Sequence, residues 1–181
     1  MGGSVRRRLI GLTGTNGAGK GEAAAFFAAR GYERHSLSDA IRDALAAEGL
    51  EPSRDNLIRK GNALRREGGP DVLARLILAK ARGPAVIDSI RNPSEIAALR
   101  EAEGFFLIAF DAPPALRFER VSKRGRDESA PDLAAFLRKE AEENGSDPEA
   151  QQLGACIALA DAAVINDGTL DELHRKLEEL L

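Results

Sequence analysis

The sequence predicts an α/β fold in which a five-stranded parallel sheet carries helices on both faces. Three observations lead there. Short apolar runs end in glycine or in a carboxylate, segments of helical composition separate them, and capping signatures mark where helices begin.

The elements follow in order. Leu9-Ile10-Gly11-Leu12-Thr13 is a buried strand, and the helix after it runs from Gly19 to Arg30 and stops at Gly31. Arg34-His35-Ser36-Leu37 is a second strand; Ser38 is placed to cap a helix from Asp39 to Glu48, which Gly49 ends. Two further helices are expected, from Ser53 to Glu67 and from Pro70 to Arg82, before the third strand, Ala85-Val86-Ile87-Asp88. Asn92-Pro93-Ser94-Glu95 supplies a cap, a proline at the first helical position and a capping-box glutamate. Phe105 to Phe110 is the fourth strand, and a helix from Pro113 to Arg124 follows. After a charged loop from Gly125 to Pro131, helices are expected over Leu133–Glu143 and Pro148–Leu159. Ala162-Ala163-Val164-Ile165 is the fifth strand, and Thr169-Leu170-Asp171-Glu172 is a capping box that opens the last helix. No repeat, low-complexity tract or linker interrupts this alternation, so residues 1–181 are expected to form one domain.

Composition narrows the functional classes. A net charge of −3 lacks the broad basic surface that general nucleic-acid binding requires, so no nucleic-acid partner is expected. No stretch reaches transmembrane length and no apolar signal region follows Met1, so the expectation is a cytoplasmic protein without a membrane partner, a monomer or weak homodimer. The one cysteine, Cys156, lies in an apolar run and reads as a buried small hydrophobe. His35 and His174 have no partners at metal-ligand spacing, and His174 sits on a charged terminal helix, where it is expected to face solvent.

The chemistry starts at Gly14-Thr15-Asn16-Gly17-Ala18-Gly19-Lys20, which matches G-x-x-x-x-G-K between a strand and a helix. Successive backbone N–H groups in such a loop bind phosphate oxygens, glycine lets the backbone approach them, and Lys20 brings a mobile charge to the β- and γ-phosphates. ATP with magnesium is the implied nucleotide. Gly21 and Glu22 follow where most such loops place the Ser/Thr that ligates the metal.

Gly17-Ala18-Gly19-Lys20-Gly21 resembles the loop of adenylate kinase and other nucleoside monophosphate kinases, where a glycine after the lysine is common. Three further segments resemble that family in the same order. Leu37-Ser38-Asp39-Ala40-Ile41-Arg42 is similar to the segment whose arginine holds the acceptor phosphate. Val86-Ile87-Asp88-Ser89-Ile90-Arg91 resembles the third-strand segment whose Asp faces hydrated magnesium and whose Arg also binds the acceptor. Glu119 to Arg126 is similar to the entrance of the mobile lid, whose arginines close over ATP. Val164-Ile165-Asn166-Asp167-Gly168 matches the last strand and turn, near the adenine. Ser-Ile-Arg and a late Asp-Pro-x-x-Gln-x-Leu, here Asp147 to Leu153, resemble a less characterised group of dephospho-CoA kinase-like proteins.

The resemblance implies a three-layer P-loop kinase fold with an acceptor-binding helical region over about residues 38–82 and a short lid over about 120–140. It implies catalytic roles for Lys20, Asp88, Arg91 and Arg124, nucleotide contacts from residues 14–22 together with Arg120 and Arg124, acceptor contacts from Asp39, Arg42 and Arg91, and Asp88 as the metal-side carboxylate. Blander readings stand beside these: Arg42 paired with Asp39 on a solvated helix, Asp88 in a structural pair, Asp111 capping the helix after Pro113, and the basic cluster Arg117, Arg120, Lys123, Arg124 and Arg126 as a solvated charged face, the reading adopted for Lys123; Arg138, on the return side of the lid, is open between ATP contact and solvent. The leading expectation is transfer of the γ-phosphoryl of ATP to a nucleoside or deoxynucleoside monophosphate, which needs no general base. A hydroxyl acceptor would need one, with Asp39 the candidate, and a nucleotide-binding regulator with weak turnover is the third reading.

Overall fold

The computed structural model describes residues 9–125, 130–143 and 151–181. β1 (Leu9–Gly14) is buried along its whole length because it occupies the middle of the sheet. The order is β2-β3-β1-β4-β5, with β2 at Glu33–Ser36, β3 at Ala85–Asp88, β4 at Phe105–Asp111 and β5 at Ala162–Ile165. Every pairing is parallel, and Leu9 stands opposite Ala85 on one side and Phe105 on the other. Parallel neighbours need crossovers, and helices supply them. α1 (Lys20–Ala28) joins β1 to β2; α2 (Leu37–Ala47), α3 (Arg54–Gly68) and α4 (Val72–Lys80) lie between β2 and β3. α5 (Pro93–Arg100) leads to β4, while α6 (Pro114–Lys123), α7 (Leu133–Glu143) and α8 (Leu153–Ala158) precede β5, and α9 (Leu170–Glu178) follows it.

Side chains of a strand alternate between faces, so each strand feeds two cores. Leu9, Ile87 and Leu107 meet Leu37, Ile41, Leu73 and Ile96 on one face. Ile10, Leu12, Val86, Ile108 and Phe110 meet Phe26 and Phe27 of α1 and Leu173 and Leu177 of α9 on the other. Because all strands run the same way, Ser36, Asp88, Gly14 and Asp111 collect at one edge of the sheet, where open α/β sheets bind ligands.

The local expectations hold in part. Both capping boxes form: Asn92 accepts from the Ser94 N–H at 2.9 Å while Glu95 accepts from the Asn92 N–H, and Thr169 and Glu172 do likewise. Ser38 does not cap α2. Ser36 holds that position in extended backbone because it still pairs with Asp88, and the Ser38 hydroxyl, inside the helix, shares a 2.8 Å hydrogen bond with Ser36. Asp111 does not cap α6, which opens on Pro113 and Pro114; its carboxylate turns instead to Thr15. α4 is shorter at both ends than expected, and α6 begins one residue later and ends one residue earlier. The start of the expected helix at Pro148 lies outside the described residues, which hold α8. His174 is half-buried, its ring 5.1 Å from that of Phe26, because α9 packs on α1. Cys156 is buried as expected, and burial pushes its thiol up to about 12, which leaves it unreactive. Among the described residues no helix is long and apolar enough to cross a membrane.

One ion pair is fully enclosed. Arg65 of α3 donates from Nε and Nη2 to Glu95 Oε1 at 3.0 and 2.7 Å, and both side chains are almost without exposure. Glu95 Oε2 accepts from the backbone N–H groups of Arg91 and Asn92. Glu95→Ala strands a buried guanidinium and removes a helix cap, so a loss of about 3–5 kcal/mol is expected in urea unfolding. The double variant Arg65→Met with Glu95→Gln keeps the cap without a stranded charge and recovers part of that loss.

Candidate functional site

The turn from β1 into α1 is the phosphate-loop sequence, held from both sides. Gly14, Gly17 and Gly19 have φ of 128°, 80° and 101°. A Cβ on Gly17 would lie 2.6 Å from the Arg117 carbonyl oxygen of α6, and one on Gly19 would strike the Asn166 amide, so neither position tolerates a side chain. Asn166 donates to the Ala18 carbonyl at 2.9 Å, and Thr15 donates its hydroxyl to Asp111 Oδ1 at 2.7 Å. The loop is thereby fixed with its N–H groups at the positive end of α1, a ready site for anionic oxygen.

Lys20 folds back on this loop and donates to the Gly14 and Thr15 carbonyls at 2.8 and 2.9 Å. Burial is the main cause that lowers its pKa to about 8; Asp88 opposes the shift, and the positive charges of Arg91, Arg124 and Arg117 add to it. Four charged groups, two at the β3 turn and two on α6 and its C-cap, therefore act on one ammonium. Asp88 ends β3, where its Oδ1 accepts from the Ser89 N–H at 2.6 Å. Ser89 itself is held at φ 66°, a left-handed conformation that costs a serine of order 1 kcal/mol and turns the chain sharply between Asp88 and Arg91.

A cleft of about 110 Å³ opens beside the loop, with Asn16 at one end and Ser38 and Arg42 of α2 on its wall. Arg54 of α3 and Arg91 face the same space, over an aliphatic floor that includes Ile41, Leu57 and Leu73. Arg42 donates to Ser38 Oγ at 2.5 Å and to Asp39 Oδ1 at 3.3 Å. Arg91 donates from Nη1 to Gln151 Oε1 at 3.0 Å. Asp39 is 59% exposed and lies outside the cleft lining.

α6 lies against the phosphate loop. Arg117, one turn before Arg120 in the basic cluster, is buried and not solvated: it donates to the carbonyls of Ala112 and Asn16 and grips Glu140 of α7 with two bonds, at 2.5 and 2.9 Å. Arg120 reaches the Gly17 carbonyl at 3.4 Å, and Arg124 is exposed at the end of the helix. Lys123 pairs with Glu119 in solvent, and Arg138 is exposed on α7. Arg126 lies outside the described residues. Glu22 points into solvent from the first turn of α1, and nothing stands within 4 Å of a Cβ built on Gly21.

The structure thus gathers Lys20, Asp88, Arg91, Arg120 and Arg124 around the loop, and places Arg42 and Arg91 in one cleft, while Asp39 and Glu22 stand apart from it. Sequence reasoning missed Arg54, Gln151 and the buried role of Arg117. Gln151 carried a signal, as the Gln of the late Asp-Pro-x-x-Gln-x-Leu run; Arg54 carried none.

The comparisons agree with this geometry. The family model described as AAA domain matches residues 10–144. The UPF0200 protein of Pyrococcus horikoshii is 32% identical over 182 residues, covering 96% of this chain and 95% of that protein. The UPF0200 protein of Methanothrix thermoacetophila is 34% identical over 180 residues, with 96% of each covered. Among solved structures, TT1252 from Thermus thermophilus superposes with a TM-score of 0.61 at 23% identity, covering 95% of both chains. Shikimate kinase from Acinetobacter baumannii, in complex with shikimate, superposes at 0.58 and 18% identity over 97% of this chain and 93% of that one. The architecture is the α/β P-loop kinase-like fold. The chain belongs to the UPF0200 family, with an AAA domain.

The lowered pKa of Lys20 makes a signed prediction. Bound phosphate favours the ammonium and raises its pKa above the free value of about 8, so binding takes up a proton only above that pH. ATP affinity measured by calorimetry is therefore expected to be flat below about pH 8 and to fall above it, by up to about tenfold per unit. In Lys20→Ala the same profile is expected to be flat throughout.

Proposed function

We propose that this protein is an ATP-dependent phosphotransferase that moves the γ-phosphoryl of ATP to a nucleoside or deoxynucleoside monophosphate. The observation that carries the reading is the cleft beside the phosphate loop: Arg42, Arg54 and Arg91 line it, as does Arg65 in its pair with Glu95, and no carboxylate among the described residues lines it. A phosphate acceptor is already a nucleophile and needs positioning by fixed positive charge, which forked guanidinium groups give. A hydroxyl acceptor needs a base, and Asp39, exposed and engaged with Arg42, is not on the cleft wall.

In this reading the loop N–H groups hold the ATP phosphates, and Lys20 leaves its loop carbonyls for the β- and γ-phosphate oxygens. Arg120 and Arg124 cover the same phosphates from α6, while Arg42 and Arg91 present the acceptor phosphate in line. Magnesium, when bound, neutralises charge across the phosphates, and the Asp88 carboxylate at the end of β3 fits the role of holding its water shell. Gly21 gives the metal no side-chain oxygen.

ADP release screened over nucleoside monophosphates and dephospho-CoA tests the acceptor class. With the acceptor found, Arg42→Ala and Arg91→Ala are each expected to lose on the order of 2–4 kcal/mol of transition-state stabilisation, roughly 30- to 1,000-fold in kcat/KM. Asp39→Asn is expected to stay within a few-fold of the parent. A severe Asp39→Asn defect beside near-normal arginine variants would reverse the reading in favour of a hydroxyl acceptor.

The open space at Gly21 yields a gain-of-function test. Gly21→Ser fits the first turn of α1 without contact, so stability is expected to hold or rise by about 0.5 kcal/mol. The new hydroxyl offers the missing ligand, and half-saturating magnesium in the ADP-release assay is expected to fall. An unchanged magnesium requirement would place the metal away from this turn.

A further inference from the structure

The structure assigns Gln151 as a positioning residue for Arg91, and hence for the anion bound in the cleft; this rests on the acceptor reading above. Contacts from outside the phosphate loop fix Arg91 in both main chain and side chain. Its backbone N–H donates to Glu95 Oε2 at 2.9 Å, its carbonyl accepts from the Gln152 N–H at 2.7 Å, and its guanidinium donates to Gln151 Oε1 at 3.0 Å. The first two hold the main chain and the third aims the side chain. Gln151 and Arg91 face the same cleft, so the bond is made at the wall where an acceptor would sit. It spans 60 residues of sequence, from the turn after β3 to the approach of α8.

The residue type at this point has a chemical consequence. A guanidinium has only donors, so the amide must turn its carbonyl to Arg91, which leaves the amide N–H₂ as a further donor at the cleft wall. The carbonyl orients Arg91 without bringing negative charge to it. Arg65, which lines the same cleft, is held by the Glu95 carboxylate. A Glu at position 151 would hold Arg91 more tightly and oppose the charge that an acceptor phosphate needs. An Ala would leave the charge intact and release its aim. The two substitutions therefore separate orientation from charge.

Inorganic phosphate is the probe, titrated against the full chain with a non-hydrolysable ATP analogue already filling the phosphate loop. Gln151→Glu is expected to weaken phosphate at least fivefold while leaving affinity for the ATP analogue unchanged. Gln151→Ala is expected to weaken phosphate about threefold, and to have no further effect in an Arg91→Ala background, as a residue acting through Arg91 requires. In the ADP-release assay, both Gln151 variants raise the acceptor KM and leave the ATP KM at its parent value. Additive effects of Gln151→Ala and Arg91→Ala, or parent-like phosphate affinity in Gln151→Glu, would overturn the assignment. Coupled phosphate binding in a protein that turns over no nucleoside monophosphate would leave Gln151 in place and remove the acceptor reading alone.

Discussion

The cleft beside the phosphate loop depends on the Glu95 carboxylate. Its first oxygen takes two bonds from Arg65 of α3, and its second takes the backbone N–H groups of Arg91 and Asn92. One group therefore completes the cap of α5, neutralises the buried Arg65 of α3, and fixes the main chain at Arg91. Such a pair is weak evidence for stability, because desolvating both ions offsets most of their attraction. Its value here is geometric. It sets the helical layer over the sheet at a defined distance from the strand ends, and the cleft is the space left between them.

The phosphate loop has a corresponding anchor on its other side. Arg117 is as buried as Arg65, and Glu140 holds it by both oxygens while it reaches the Asn16 carbonyl. Removing Glu140 would leave a cation against the loop, so the fold of α7 and the shape of the loop depend on each other. Thr15 with Asp111, and Asn166 with Ala18, complete the cage. The Thr15 N–H also donates to the Phe110 carbonyl and the Ala18 N–H to the Thr15 carbonyl, so the loop is held by backbone as well as by side chains, with the positive end of α1 behind it.

Legibility followed sequence separation. The phosphate loop was readable because its glycines, lysine and flanking strand and helix are contiguous, and their backbone requirements are local. Asp88 and Arg91 were readable because a strand end at this edge of a parallel sheet is where ligands go. The burial of Arg117 was missed because a helix stripe of arginines is usually solvated; it comes from Glu140, which is 23 residues away and on another helix. Asp111 looked like a cap because its local context offered one; the Thr15 hydroxyl that engages it lies 96 residues away. Ser38 was misread by two residues because strand pairing, which is non-local, decides where β2 ends and therefore which serine takes the cap position.

The departure at Gly21 reads differently once the space around it is known. With nothing within 4 Å of a Cβ there, the missing hydroxyl is not the result of crowding. The sequence instead concentrates rigidity on the β3 side, where Ser89 is held at positive φ between Asp88 and Arg91, accepts from the Ser36 hydroxyl, and is followed by the Arg91 N–H donating to Glu95. Backbone strain of this kind persists only where the surroundings over-determine it. Asp88 and Arg91 are therefore presented in fixed relation to each other before any ligand arrives. Asp88 and Arg91 take their geometry from that turn, and the bonds it makes with Ser36, Glu95 and Gln151 are what keep it from relaxing.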